Sequence, residues 1–182
     1  MSAKGHVGES VVDADRIRGR VALLAREIHA AHPDTDEPLV VIVVLAGAVI
    51  FAADLIRALP HRVVMAFVKV SSYPGRSTTS QGIVESGSMP DAVRGRDVLV
   101  IDDVLDTGRT LQHLRAELTL AGARSIRSCV LLRKDRPEAR LVACEHVGFD
   151  IPDVFVVGYG LDFDDEYRHL PDIRAFTVVP PA

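Results

Sequence analysis

The segment VLVIDDVLDTGRTL, Val98 to Leu111, passes from an apolar tetrad into carboxylates and then into hydroxyls, a glycine and a cation. Its opening lacks the apolar–polar alternation of a half-exposed strand, so Asp97 to Ile101 reads as a strand buried on both faces of a parallel sheet. The acidic stretch DDVLDTG reads as a turn. A helix follows from about Arg109 to Ala121, with Leu111, Leu114, Leu118 and Ala121 on one face and Gly122 as its stop. Ligands of open parallel sheets lie beyond the carboxyl ends of the strands. A helix start there offers unpaired N–H groups and a partial positive charge. Thr107, Gly108, Arg109 and Thr110 therefore form a candidate cradle for a phosphate monoester. Asp102 and Asp103 cannot bind phosphate directly. They suit the vicinal hydroxyls of a sugar, or a divalent metal, so the inferred ligand is a sugar phosphate.

The flanking chain repeats the strand–helix alternation. LVVIVVL (Leu39 to Leu45) is a β-branched strand, Ala48 to Leu59 a helix stopped by Pro60, and Arg62 to Val70 a strand. Ile126 to Leu132 and Val154 to Val157 read as further strands. Ile17, Val21, Leu24 and Ile28 mark one face of a helix over Arg16 to Ala31, capped by Asp13 or Asp15. Ser71 to Gly87 is rich in Ser, Thr and Gly and reads as a long loop or hairpin. The first ten residues read as frayed, and the tail after Asp162 fits no long element. The pattern defines an α/β fold with a parallel sheet.

Composition narrows the function classes. With 182 residues, the chain is long enough for one domain with a substantial core. Its net charge of −4 argues against a cationic surface for nucleic acid. Two cysteines, Cys129 and Cys144, are too few for a disulfide framework or a four-cysteine zinc site, and read as reduced thiols of a cytoplasmic protein. The opening MSAKGHVGES lacks the apolar core of a secretory signal. The apolar run Leu39 to Ala53 is shorter than the ~20 residues of a membrane span. His29 and His32 lie three apart without a third ligand in view, and read as a solvated helix face.

DDVLDTGRT after a hydrophobic strand resembles the phosphoribosyl pyrophosphate signature of type I phosphoribosyltransferases. LAGAVIFAADL (Leu45 to Leu55) resembles their pyrophosphate loop and the helix after it, and VSSYPGRSTTSQG (Val70 to Gly82) their mobile lid. PDVFVVGYGLDFDDEYRHLP (Pro152 to Pro171) resembles the purine-binding end of the hypoxanthine-guanine enzymes. The resemblance implies a parallel-sheet phosphoribosyltransferase core over about 38–160, flanked by helices, with a small hood subdomain from about 1–37 and 161–182.

It also implies roles. Asp106 would exchange the proton at purine N7, and with Thr107, Gly108, Arg109 and Thr110 it would surround the 5′-phosphate. Asp102 and Asp103 would hold the ribose hydroxyls, in part through Mg²⁺, with Asp162 near a second metal. The family usually has Glu where Asp102 stands. Ala46, Gly47, Ser72, Tyr73 and Arg168 would bind pyrophosphate. Ala46 replaces a residue that is often cationic in the family, beside a peptide that is often cis. Lys134 would donate to purine O6, Phe155 would stack on the base, and the Val156 backbone and Asp162 would meet the rest of its edge.

The implied reaction is transfer of the phosphoribosyl group from phosphoribosyl pyrophosphate to hypoxanthine or guanine, in a homodimer or homotetramer without nucleic-acid or membrane partners. Two other readings stand beside it. One is a sensor of phosphoribosyl pyrophosphate or nucleotides on the same fold; the other is a transferase that prefers xanthine. An aspartyl phosphatase would need Asp where Val104 stands.

Overall fold

The computed structural model describes residues 4–32, 36–71, 83–84 and 90–179. In chain order these form β1 (Lys4–Val12), α1 (Ala14–Ala31), β2 (Leu39–Leu45), α2 (Val49–Ala58), β3 (Val63–Ser71) and β4 (Ile83–Val84). After a 3-10 turn at Asp91–Val93 come β5 (Asp97–Leu105), α3 (Arg109–Leu120), β6 (Ser125–Lys134), α4 (Pro137–Leu141), β7 (His146–Ile151), β8 (Val156–Val157) and β9 (Ile173–Val179).

The main sheet has the order β4-β3-β2-β5-β6-β7 and is parallel except for the short edge strand β4. Alternate residues of the central strands enter two separate cores. Val41, Val43, Leu99 and Ile101 pack with Ile17, Leu24 and Ile28 of α1 and Phe51 and Leu55 of α2. Val40, Ile42, Val98 and Val100 pack with Leu111, Leu114 and Leu118 of α3. The stretches Leu39–Val44 and Val98–Ile101 are apolar throughout because they have no solvent face. A fully buried side chain of this size contributes about 1.5–3 kcal/mol.

A second sheet, β1-β9-β8, joins the two ends of the chain in antiparallel pairing, with Gly5 opposite Val178 and Val7 opposite Phe176. It corrects two expectations. The first residues are a strand from Lys4 onward, and the tail after Asp162 contains β9. The helix face of His29 and His32 is also corrected: His32 is buried. The His61 ring packs edge-on to both, at centroid distances of 5.0 and 6.4 Å, and its Nε2 lies 3.0 Å from the His32 carbonyl.

The loop expected over Ser71 to Gly87 lies largely outside the described residues, and Ser72 and Tyr73 fall there. Of that stretch, Ser71 ends β3, while Ile83 and Val84 form β4.

Candidate active site

The site gathers at the carboxyl ends of β2, β5 and β6. Strand β5 runs past Ile101 to Leu105, where Val104 and Leu105 still pair with Leu132 and Arg133 of β6. The first two carboxylates of the acidic segment therefore belong to the strand, and the turn begins at Asp106. Asp102 is buried. The Asp103 amide donates to Asp102 Oδ1 at 2.9 Å, and the Val104 amide to Asp103 Oδ1 at 2.7 Å. Burial pushes both carboxyls up, and the neighbouring Asp103 charge drives Asp102 further. Such a pair favours whatever relieves its charge, whether a proton, hydroxyl donors or a cation.

Beyond it, Gly108 stands at the N-cap of α3 with φ 78°, the left-handed region that favours glycine. A Cβ there would lie 2.2 Å from Val142 Cγ2. No side chain caps the helix. Thr107 and Arg109 are exposed and Thr110 half-buried. The result is an open helix start following one buried and one half-buried acid, chemically fit to receive an anion attached to a hydroxylated sugar.

Two further segments close around this strand end. The Leu45–Ala46 peptide after β2 is cis. Gly47 follows so closely on Asp103 that a Cβ would lie 1.7 Å from its Oδ2. The Gly158–Leu161 turn comes next, and a Cβ on Gly160 would lie 2.3 Å from the Gly47 carbonyl oxygen. Glycine at residue 160 lets two backbones meet, and glycine at residue 47 leaves room for the Asp103 carboxylate.

The expected base-binding residues come from distant parts of the chain. Lys134, at the end of β6, has Nζ 3.8 Å from Asp106 Oδ2 and 3.3 Å from Asp153 Oδ1. Arg136 Nη1 lies 2.8 Å from Asp106 Oδ1, but out of line for a hydrogen bond, and its Nε donates to Asp153 Oδ2 at 2.7 Å. Sequence reasoning did not single out Arg136 or Asp153. Their only signal was alternating charge in KDRPE and a lone Asp in IPDVF. Phe155 is 46% exposed and packs edge-on to Phe163 at 5.9 Å, which leaves aromatic surface free to stack. Val156 is buried in β8, paired with Ala175.

Arg168 is held inward. It pairs with Asp162 at 2.8 Å and Asp165 at 3.1 Å, and donates to the Gly160 carbonyl at 2.8 Å. Both Asp162 oxygens are thus engaged, since Oδ2 accepts from the Asp165 amide at 2.9 Å. Among the described residues, no cluster of three His, Cys, Asp or Glu side chains is placed to cage a metal. Asp102 and Asp103 nevertheless offer adjacent, oxygen-only donors. That suits Mg²⁺, which typically takes one or two carboxylates and completes its shell with substrate oxygens and water.

A parallel sheet that ends in paired acids before an uncapped helix start defines a class: an open α/β protein whose donors suit a phosphorylated, hydroxylated ligand. Comparison with known proteins gives the family. The phosphoribosyl transferase domain model matches residues 8–164, and the chain belongs to that family. It is 45% identical over 171 residues to a hypoxanthine-guanine phosphoribosyltransferase of Mycobacterium avium, covering 91% of this chain and 84% of the relative. It is 36% identical over 168 residues to a hypoxanthine phosphoribosyltransferase of Escherichia coli, with 92% and 94% covered. A crystal structure of a hypoxanthine-guanine phosphoribosyltransferase from Bacillus anthracis matches with a TM-score of 0.84 and 33% identity, over 96% of this chain and 99% of that one.

Proposed function

We propose that this phosphoribosyltransferase acts in purine salvage, moving the 5-phosphoribosyl group from phosphoribosyl pyrophosphate to hypoxanthine or guanine and releasing pyrophosphate. The observation that carries the choice of base is the approach of Lys134 Nζ to Asp106 Oδ2 at 3.8 Å. A fixed cation and a carboxylate at that spacing match the 6-oxo group and N7 proton of one purine edge. The 6-amino group of adenine would meet Lys134 donor to donor. Phe155 supplies the stacking surface, and the Val156 backbone and Asp162 complete the base site.

In this mechanism the purine N9 lone pair bonds to C1 of the sugar as the C1–oxygen bond to pyrophosphate breaks, with inversion. Asp106 accepts the N7 proton as electron density leaves the ring. The amides and hydroxyls of residues 106–110 hold the 5′-phosphate, with the Arg109 cation beside them. Asp102 and Asp103 orient the ribose hydroxyls and would hold Mg²⁺, which when bound offsets pyrophosphate charge. Ala46 and Gly47 present backbone N–H groups to pyrophosphate, so the missing cation at residue 46 leaves backbone dipoles as the local donors. Arg168 reaches pyrophosphate only by leaving Asp162, which in turn frees Asp162 for a second metal. Ser72 and Tyr73 belong to the same proposal as lid residues.

The proposed protein is cytoplasmic and works as a homodimer or homotetramer, a state that sedimentation would read. No described helix is long and apolar enough to cross a membrane. The deciding assay mixes protein, Mg²⁺ and phosphoribosyl pyrophosphate with hypoxanthine, guanine, xanthine, adenine or uracil and measures nucleotide. Product with hypoxanthine or guanine is expected. Product with neither defeats the reading, and a marked excess with xanthine reassigns the substrate.

A further inference from the structure

Tyr159 occupies a position where glycine would be the easy choice. Its φ is 50°, and it stands between Gly158 at 98° and Gly160 at 101°. A bulky residue held in the left-handed region points to a function for its side chain. The Tyr159 ring is buried at 8% exposure, and its hydroxyl donates to Asp54 Oδ2 at 2.6 Å. Asp54 lies on α2, the helix that begins two residues after Gly47, and its other oxygen pairs with the exposed Arg57. The two bonded residues are 105 positions apart in the chain. Burial, and then the bond to Asp54, hold the phenol well above its ordinary range, so the hydroxyl keeps the proton it donates.

The turn around Tyr159 is rigid in itself. Gly158 and Leu161 exchange backbone hydrogen bonds at 3.0 Å, the Tyr159 amide donates to the Leu170 carbonyl at 2.8 Å, and the Gly160 amide to the Arg168 carbonyl at 3.0 Å. What the turn lacks is a cushion against the 45–47 loop. Gly160 approaches the Gly47 carbonyl backbone to backbone, and Gly47 in turn lies directly against the Asp103 carboxylate. A shift of the turn by a few tenths of an ångström passes directly to the loop backbone. The Tyr159–Asp54 bond ties the same turn to α2, the helix that follows the loop.

We propose that this bond is a strut that fixes the spacing between the purine-side turn 158–161 and the loop 45–47, making Tyr159 and Asp54 positioning residues for the pyrophosphoryl group. The inference rests on the reading above that the 45–47 loop binds pyrophosphate. Neither side chain touches substrate; both act through the backbone they separate.

The test compares Tyr159→Phe, Asp54→Ala and Asp54→Asn with the wild type. Initial rates are measured in both directions, inorganic pyrophosphate is titrated calorimetrically with Mg²⁺, and thermal melting is followed. Tyr159→Phe and Asp54→Ala should raise KM for phosphoribosyl pyrophosphate and pyrophosphate about tenfold, the scale of one charge-assisted hydrogen bond. Their kcat and KM for hypoxanthine should stay within about twofold, since the lost bond does not touch the base. Asp54→Asn retains an oxygen that accepts the hydroxyl and should behave as wild type. Unchanged pyrophosphate affinity in both Tyr159→Phe and Asp54→Ala overturns the strut. So does Asp54→Asn impaired as much as Asp54→Ala, or a loss spread equally over every substrate. Should Tyr159→Phe not fold, the Asp54 pair decides alone. Failure of the underlying site reading is distinct: wild-type protein would then bind no pyrophosphate.

Discussion

At the start of α1, Asp13 turns its carboxylate onto the Arg16 amide at 2.9 Å; at the start of α3, Gly108 has no side chain to turn. Both helices carry the same unpaired N–H groups and partial positive charge. α1 satisfies them from within the chain, with Asp15 adding a second acid in its first turn. α3 has neither a capping side chain nor an acid in its first turn, and Gly108 enters it in the left-handed conformation. The lesson is that an unclosed helix end, paired with acids that suit a sugar, marks a ligand site better than any single residue type. α2 adds to it, since its N-cap, Ala48, also makes no side-chain bond and follows the 45–47 loop.

The comparison can be broken at several points. The largest effect should come from Asp106, the first residue of the open turn. Asp106→Asn removes the proposed proton acceptor and should lower kcat by about 10²–10⁴-fold while substrate KM values move severalfold at most. Unaltered turnover in single-turnover kinetics would take Asp106 out of the base role. Gly108→Ala forces a Cβ onto Val142 in a backbone state that favours glycine. The open turn should distort, and nucleotide affinity, read by calorimetry, should fall by at least about tenfold. Thr107→Asp gives α3 a carboxylate of its own, as α1 has. KM for phosphoribosyl pyrophosphate should rise about tenfold without a lower melting temperature; an unchanged KM would mean that the phosphate binds elsewhere.

Asp13→Ala opens the closed helix instead. It should cost about 1 kcal/mol and lower the melting temperature by about 2–4 °C, with every KM unchanged. The last effect, one on the pH dependence of stability alone, lies at the other end of α1. Burial, and then the Arg127 charge, hold the His32 imidazole down at about 4, against 6.5 for a free histidine. The unfolded chain takes up a proton as pH falls through 6.5, whereas the folded chain resists until about 4. The contribution of His32 to stability is therefore complete above pH 6.5 and is lost between 6.5 and 4. Melting temperature should fall less steeply with pH across that range in His32→Gln than in wild type; equal slopes contradict the assignment.

Much of this was legible in the residues. Leu39–Leu45 forms a strand with the bounds its β-branched run implies, because burial on both faces leaves no polar position to blur its ends. Asp106 to Thr110 sit at a helix start because the signature places chemistry at a strand–helix junction. The missed elements share a cause. β9 pairs with β1 from the opposite end of the chain, and nothing local in Ile173–Val179 announces a partner so distant. β7, HVGFDI, has no apolar run to mark it and contains Gly148. Here the glycine is needed because a Cβ would lie 2.3 Å from the Leu131 carbonyl on β6. β5 continues through Asp102 and Asp103 because its ladder with β6 extends beneath acids that read as a turn. Arg136, Asp153 and the Tyr159–Asp54 pair acquire meaning only once the strand ends converge.

The most direct test is a crystal structure of the protein with a purine 5′-mononucleotide. The account predicts its phosphoryl oxygens within hydrogen-bond distance of the amides of residues 107–110 and its ribose hydroxyls toward Asp102 and Asp103. Phosphoryl density at any other helix start, or on the far side of the sheet, contradicts it.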